Sequence, residues 1–192
     1  MTAKWKYLLL ILVALALLIA GCDQNKQTPE SLTPDQAQEQ QGNTAVQPGS
    51  DPAKAGTMRI VIYHADKTAT HLVPEDHVVP VSTHPLKVAA ELLIAGTKKP
   101  ELMPVMPPGT HLRGIWIKDH IAYIDFDDKL IKNNSGGSAG EILLVGAIVN
   151  TLTEFPEVQK VQLLVEGKKI STISGHLDTS EPLSRSENLI KK

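Results

Sequence analysis

Gly136-Gly-Ser138-Ala-Gly140 spells the G-x-S-x-G letters of a nucleophile elbow. Such an elbow needs a strand running straight into the serine, followed by an acid and then a histidine. Here Lys129 to Ser135 separates Ser138 from the preceding apolar stretch, the only downstream histidine is His176, and no aspartate lies between the two. Asp125, Asp127 and Asp128 gather oxygen ligands ahead of Asn133 and Asn134, but a calcium loop alternates its ligands around a fixed glycine and closes on a glutamate. That spacing is missing, so these carboxylates read as the solvated end of a strand. The seven histidines, among them His64, His71, His77 and His84, include no helical H-x-x-x-H pair and read as ordinary loop and edge residues. Glycines before a helix start can cradle an anion, but no P-loop lysine follows them. Glu141 and Asn150 stand nine positions apart, roughly 180° around a helix, and do not converge as an acid/base pair. No catalytic residue, no metal site and no cofactor is expected.

The one cysteine, Cys22, stands at a different kind of chemical site. Lys4 and Lys6 precede an unbroken apolar run from Tyr7 to Ala20, shorter than the roughly 20 residues a spanning helix needs. The run closes on Ile19-Ala-Gly-Cys22, which resembles the lipobox of bacterial lipoprotein signal peptides. The resemblance implies removal of residues 1–21 and a diacylglyceryl (palmitate-type) thioether on Cys22, which would hold the protein on the extracytoplasmic face of the cell membrane. Each buried CH₂ adds about 0.8 kcal/mol, so two or three chains anchor stably. The plainer alternative is an ordinary secretory signal with a chance cysteine behind it. One cysteine also rules out an intrachain disulfide framework.

Residues 22–56 form the lipidated N-terminus and a linker. From Asp23 onward this stretch lacks aromatics and carries seven glutamines among Thr, Pro, Ser, Gly and Asp. That composition offers too little apolar surface to offset ordering, and a flexible coil of this length spans roughly 30 Å. Formal net charge is -2 and no basic stretch is interleaved with aromatics, so a nucleic-acid partner is excluded.

From Thr57 the pattern changes to that of a folded domain, expected over 57–183 with a C-terminal tail at 184–192. The central element is a helix from Ser138 to the stop at Pro156. Ile142, Val145, Val149 and Leu152 form its apolar stripe, and Ser138 with Glu141 reads as a capping box. Pro85 to Ala95 is a second helix, with proline in its first turn and Gly96 as its stop. Arg59 to Tyr63 is a strand, and Leu72-Val73 with Val78-Val79 a second one broken by Pro74. Lys98 to Thr110, with four prolines, is an irregular loop. Leu112 to Ile117 and Ile121 to Phe126 form one hairpin, and Val158 to Val165 and Ile170 to Ile173 another across Glu166-Gly167. The order ββαββαββ predicts a single α+β domain: a mainly antiparallel sheet with both helices packed on one face.

A two-residue turn in the first hairpin places Ile115 and Ile117 on one face with Ala122, Ile124 and Phe126. Trp116 and Tyr123 then oppose each other on the other face. Left uncovered, this aromatic pair is the candidate interaction surface. The alternative is that Leu102 to Pro108 folds over it.

Several segments together resemble the GerMN domain of GerM-like sporulation and spore-germination lipoproteins. They are Leu72-Val-Pro-Glu75, Pro107-Pro-Gly-Thr110, Ala122-Tyr-Ile-Asp-Phe126, Gly137-Ser-Ala-Gly-Glu141, Ile148-Val-Asn-Thr-Leu-Thr-Glu-Phe-Pro156, Val165-Glu-Gly167, Gly175-His-Leu-Asp178 and Ser180-Glu-Pro-Leu183. The resemblance runs from about Met58 to Leu183. It implies an extracytoplasmic domain similar to ring-building modules, with no known catalysis and no established cofactor. Two departures stand out: a single copy where tandem copies are common, and His120 where the hairpin turn usually has glycine.

The function expected is therefore that of a membrane-anchored, non-enzymatic assembly module of the cell envelope, in sporulation or germination, with an envelope protein or a second copy of itself as partner. The rival is an envelope protein binding a small ligand or cell-wall fragment at the glycine-rich helix start near His176 and Asp178.

Overall fold

The computed structural model describes residues 56–192. The leader 1–21, Cys22 and the linker up to residue 55 lie outside the described residues.

The strands β1 (Thr57–Asp66) and β2 (Leu72–Pro80) form an antiparallel hairpin, in register from Thr57 opposite Pro80 to Ala65 opposite Leu72. Pro74 does not break β2, as the sequence suggested; it sits opposite Tyr63 inside one continuous strand. β2 is the outer strand of a three-stranded sheet ordered β2-β1-β3, where β3 is the short Leu102–Met103. An edge strand can carry a residue that has no N–H to donate. Asp66 shapes the connecting turn, its carboxylate accepting from the N–H of Thr70 at 3.0 Å and the hydroxyl of Thr68 at 2.9 Å.

Helix α1 spans Pro85–Ala95, as the proline start and glycine stop predict. Gly96 adopts a φ of 74° and donates its N–H to the carbonyls of Leu92 and Leu93. β4 (Leu112–Lys118) and β5 (Ile121–Phe126) then pair across Asp119-His120, both left-handed at φ 51° and 60°. This is the turn whose twist suits a two-residue hairpin. His120 holds the position at some backbone cost. Its carbonyl accepts the N–H of Gln159 at 2.8 Å, a tertiary contact that helps offset that cost.

A single turn of helix, α2 (Lys129–Lys132), was not foreseen and precedes α3 (Gly137–Leu152). Together they carry the chain across to β6 (Lys160–Val165), which lies parallel to β5 from Ile121 opposite Lys160 to Phe126 opposite Val165. A parallel pair needs such a crossover. β7 (Lys168–Lys169) and β8 (Leu183–Ser184) both pair antiparallel with β6. The α+β class stands, but the ladders fall into two sheets and one pair is parallel. The expected strand at Ile170 to Ile173 does not form; the chain leaves the sheet after β7 to wrap the start of α3.

Every residue of α3 from Leu143 to Leu152 is buried, so the apolar stripe read from spacing is one side of a helix enclosed all round. α3 touches α1, β1, β2 and β6, placing it at the centre of the core. The stretch 184–192, expected as a tail, is instead packed onto it. Asn150 clasps Ser186 through both its amide groups, accepting its N–H at 2.9 Å and donating to its carbonyl at 3.0 Å. Arg185 donates to the Asn150 carbonyl at 3.0 Å and to the Tyr63 hydroxyl at 2.6 Å. Leu189 packs closely against α3 at Gly146, where its Cδ1 would overlap an added Cβ.

Candidate functional site

The β4–β5 register places Trp116 directly opposite Tyr123, as the alternation predicts. The rings stack with centroids 5.5 Å apart and planes 4° from parallel. Offset stacking of this kind is favourable by about 0.5–1.5 kcal/mol beyond area burial. Trp116 keeps 48% of its surface exposed, on the outermost strand of its sheet. Met103 to Pro108 does not fold over the pair; it lines a separate groove with Asn133 to Gly136 and the first turn of α3. Beside Trp116 runs another open groove, between Thr83 to Lys87 at the start of α1 and Leu112 to Ile117 of β4.

Ser138 lies exposed in the first turn of α3 and does not cap it; the cap position is Gly136, and no side chain bonds there. The capping box is therefore corrected, and the reason lies in Glu141. Its carboxylate is fully buried and turns away from the helix start to the loop after β7. Oε1 accepts from the Thr172 hydroxyl at 2.7 Å and the N–H groups of Ile173 and Ser174 at 2.9 and 3.0 Å, and Oε2 accepts from the His176 N–H at 2.9 Å. Burial pushes this carboxyl up, but the Ser174 N–H, the Thr172 hydroxyl and the N–H groups of His176 and Ile173 together hold it down to about 2. His176 thus meets Glu141 through its backbone, in a structural tie. The groove at the helix start exists, but neither His176 nor Asp178 lines it.

The acidic cluster is likewise divided among separate structural partners. Asp125 accepts from Arg113 Nε at 3.1 Å and from the Gly167 N–H at 2.9 Å, tying the β6–β7 turn to β5. Asp127 accepts from the His111 N–H at 3.1 Å, and Asp128 pairs with Lys132 one helical turn on. The contact with Lys132 holds the Asp128 carboxyl below its ordinary value.

One grouping had no counterpart in the sequence reading. His64 and Glu75 are buried, and His77 partly so. Alternation along β1 and β2 puts all three on one face of the hairpin. The expectation that these histidines sit on loops and edges fails for His64, which is wholly buried on the central strand. The signal was present in the alternation Ile60, Ile62, His64 and Glu75, His77. A break at Pro74 hides it, because the register that groups these residues exists only along a continuous β2. Burial holds the His64 imidazole below its ordinary range, with the charges of His77 and Lys99 adding to the effect and Glu75 opposing it.

Two sheets around one enclosed helix make this an α+β domain, with a stacked aromatic pair on its open hairpin. The chain belongs to the Germane family, described as sporulation and spore germination, whose pattern matches residues 61–171. It is 28% identical to the spore germination protein GerM of Bacillus subtilis (strain 168) over 198 residues, covering 91% of this chain and 53% of that protein. The chain thus spans about half the length of this curated relative. The first GerMN domain of the sporulation protein GerM from Bacillus subtilis aligns with a TM-score of 0.56 at 26% identity, over 67% of this chain and 98% of that one. The tandem GerMN domains of the same protein give 0.59 at 25% identity, over 67% of this chain and 46% of theirs.

Proposed function

We propose that this chain is a lipoprotein anchored through Cys22 on the extracytoplasmic face of the membrane, and that its GerMN domain is a non-enzymatic assembly module of the envelope during sporulation or germination. The carrying observation is the Trp116–Tyr123 stack, half-exposed on an edge strand beside an open groove. Rigid aromatic surface of this kind supplies anchor residues at protein interfaces. The relationship to a spore germination protein supplies the setting. Among the described residues no helix is long and apolar enough to cross a membrane. The lipobox resemblance at Ile19 to Cys22 supplies the anchor.

A photo-crosslinking residue at exposed position 118, two residues along the same strand face from Trp116, should capture one protein adduct in cells, either an envelope protein or a second copy. Trp116→Ala should abolish that complex at a stability cost of only about 0.5–1.5 kcal/mol, that of the lost stack, so the domain remains folded. Recovery of only monomer and lipid adducts through growth and sporulation would refute the assembly role. The groove between Met103 to Pro108 and the start of α3 favours the second reading, a small envelope ligand. A saturable thermal shift with muropeptides would support that one instead.

A further inference from the structure

We propose that His64, Glu75 and His77 form a binding site for a divalent transition metal ion, with zinc as the natural candidate. The site is independent of the aromatic surface. His64 Nε2 lies 3.6 Å from Glu75 Oε2, and His77 Nε2 lies 3.9 Å from the same oxygen. One ligand atom from each residue falls within 4.8 Å of the other two. Those separations are too long for hydrogen bonds, which end near 3.2 Å. They approach the spacing of ligands around one ion. Tetrahedral bonds of about 2.0–2.1 Å set neighbouring ligand atoms roughly 3.3 Å apart. His64 and Glu75 already stand close to that spacing, and His77, being partly exposed, has freedom to close in.

Polar satisfaction points the same way. Five buried side-chain polar atoms lack a hydrogen-bond partner among the described residues, and four of them belong to this cluster: both ring nitrogens of His64, Oε2 of Glu75 and Nε2 of His77. Groups left unmet in this way are costly and rare. An ion would satisfy one atom on each of the three residues at once, leaving only His64 Nδ1. Two imidazoles and one carboxylate suit zinc and its transition-metal neighbours and not calcium or magnesium, which take oxygen-rich shells. Lys99 Nζ stands 3.8 Å from Oε1, an ion pair and not a hydrogen bond. Its positive charge opposes a cation, but nearly half of its side chain is exposed and free to swing outward. Three protein ligands leave the fourth position to exchangeable water.

The test is equilibrium dialysis of the full chain against zinc, with bound metal counted by mass spectrometry, and cobalt(II) as a coordination probe. The wild-type chain should hold one zinc that His77→Ala removes, and cobalt should give the visible absorption of a tetrahedral N/O site. His77→Ala and Glu75→Gln should weaken binding by more than the 10–100-fold that loss of an outer-shell partner costs, by about 100-fold or beyond. His71→Ala, on the exposed turn, should change nothing. His77 is partly exposed, so its variant should remain folded even if His64→Ala does not. A wild-type chain that retains no stoichiometric zinc, or the same amount retained after His77→Ala, overturns the site.

Discussion

Two glutamates are buried in this domain, and their surroundings differ. Glu141, on α3, is 0% exposed and accepts four hydrogen bonds from a single loop. Glu75, on β2, is 6% exposed and its Oε2 accepts none. Its neighbours there are two imidazole nitrogens at 3.6 and 3.9 Å. The chain completes the first carboxylate from its own loop, with three N–H groups and a hydroxyl, and leaves the second to something outside itself. Equal burial therefore does not imply an equal role. What separates a structural tie from a ligand site is whether the protein supplies the matching donors.

The largest effect should come from breaking the completed side of this comparison. Glu141→Ala leaves three backbone N–H groups and one hydroxyl without their acceptor. Hydrogen bonds to a charged group contribute about 1.5–3 kcal/mol each and are not additive, so a loss of about 3–4 kcal/mol is expected in urea unfolding. A loss under about 1 kcal/mol would mean that the loop holds itself in place.

Acid should remove the same tie more gradually. The folded Glu141 carboxyl titrates at about 2, below its ordinary 4.5. Its contribution is therefore complete above 4.5 and is lost as pH falls toward 2. Unfolding free energy measured against pH should decline through that window, and Glu141→Gln should flatten this part of the curve while leaving the slope above it unchanged. An unaltered acid profile in the variant would place the titration elsewhere.

The smallest effect belongs to the unfinished side. Glu75→Gln in metal-free protein should cost less than about 1 kcal/mol, since no hydrogen bond to Oε2 is lost. The same variant should erase any stabilisation that added zinc gives the wild type. A loss matching that of Glu141→Ala would make Glu75 a second structural tie and dissolve the contrast.

Much of the architecture was readable one element at a time. Pro85 and Gly96 bound α1 to the residue, because the first turn of a helix tolerates a missing N–H and a glycine readily takes the left-handed φ just past the last one. The β4–β5 hairpin was readable too, since alternation fixes which residues oppose each other, and the Trp116–Tyr123 pair followed from it. Two readings failed for a shared reason. Pro74 breaks a central strand but not an edge strand, and edge status depends on neighbours distant in sequence. Ser138 and Glu141 match a capping box, but the local bond competes with four donors arriving from residues 172–176.

Motifs carried the family resemblance, and the amino-acid order alone determined the bounds of α1 and the placement of an aromatic pair on one hairpin face. Those depend on steric and hydrogen-bonding preferences acting within a few residues. Only the tertiary structure decided that β5 and β6 run parallel, that residues 184–192 close over α3, and which buried carboxylate is satisfied. Each of these depends on which distant groups meet, and a buried polar atom gains or loses its partner only when the chain has folded around it.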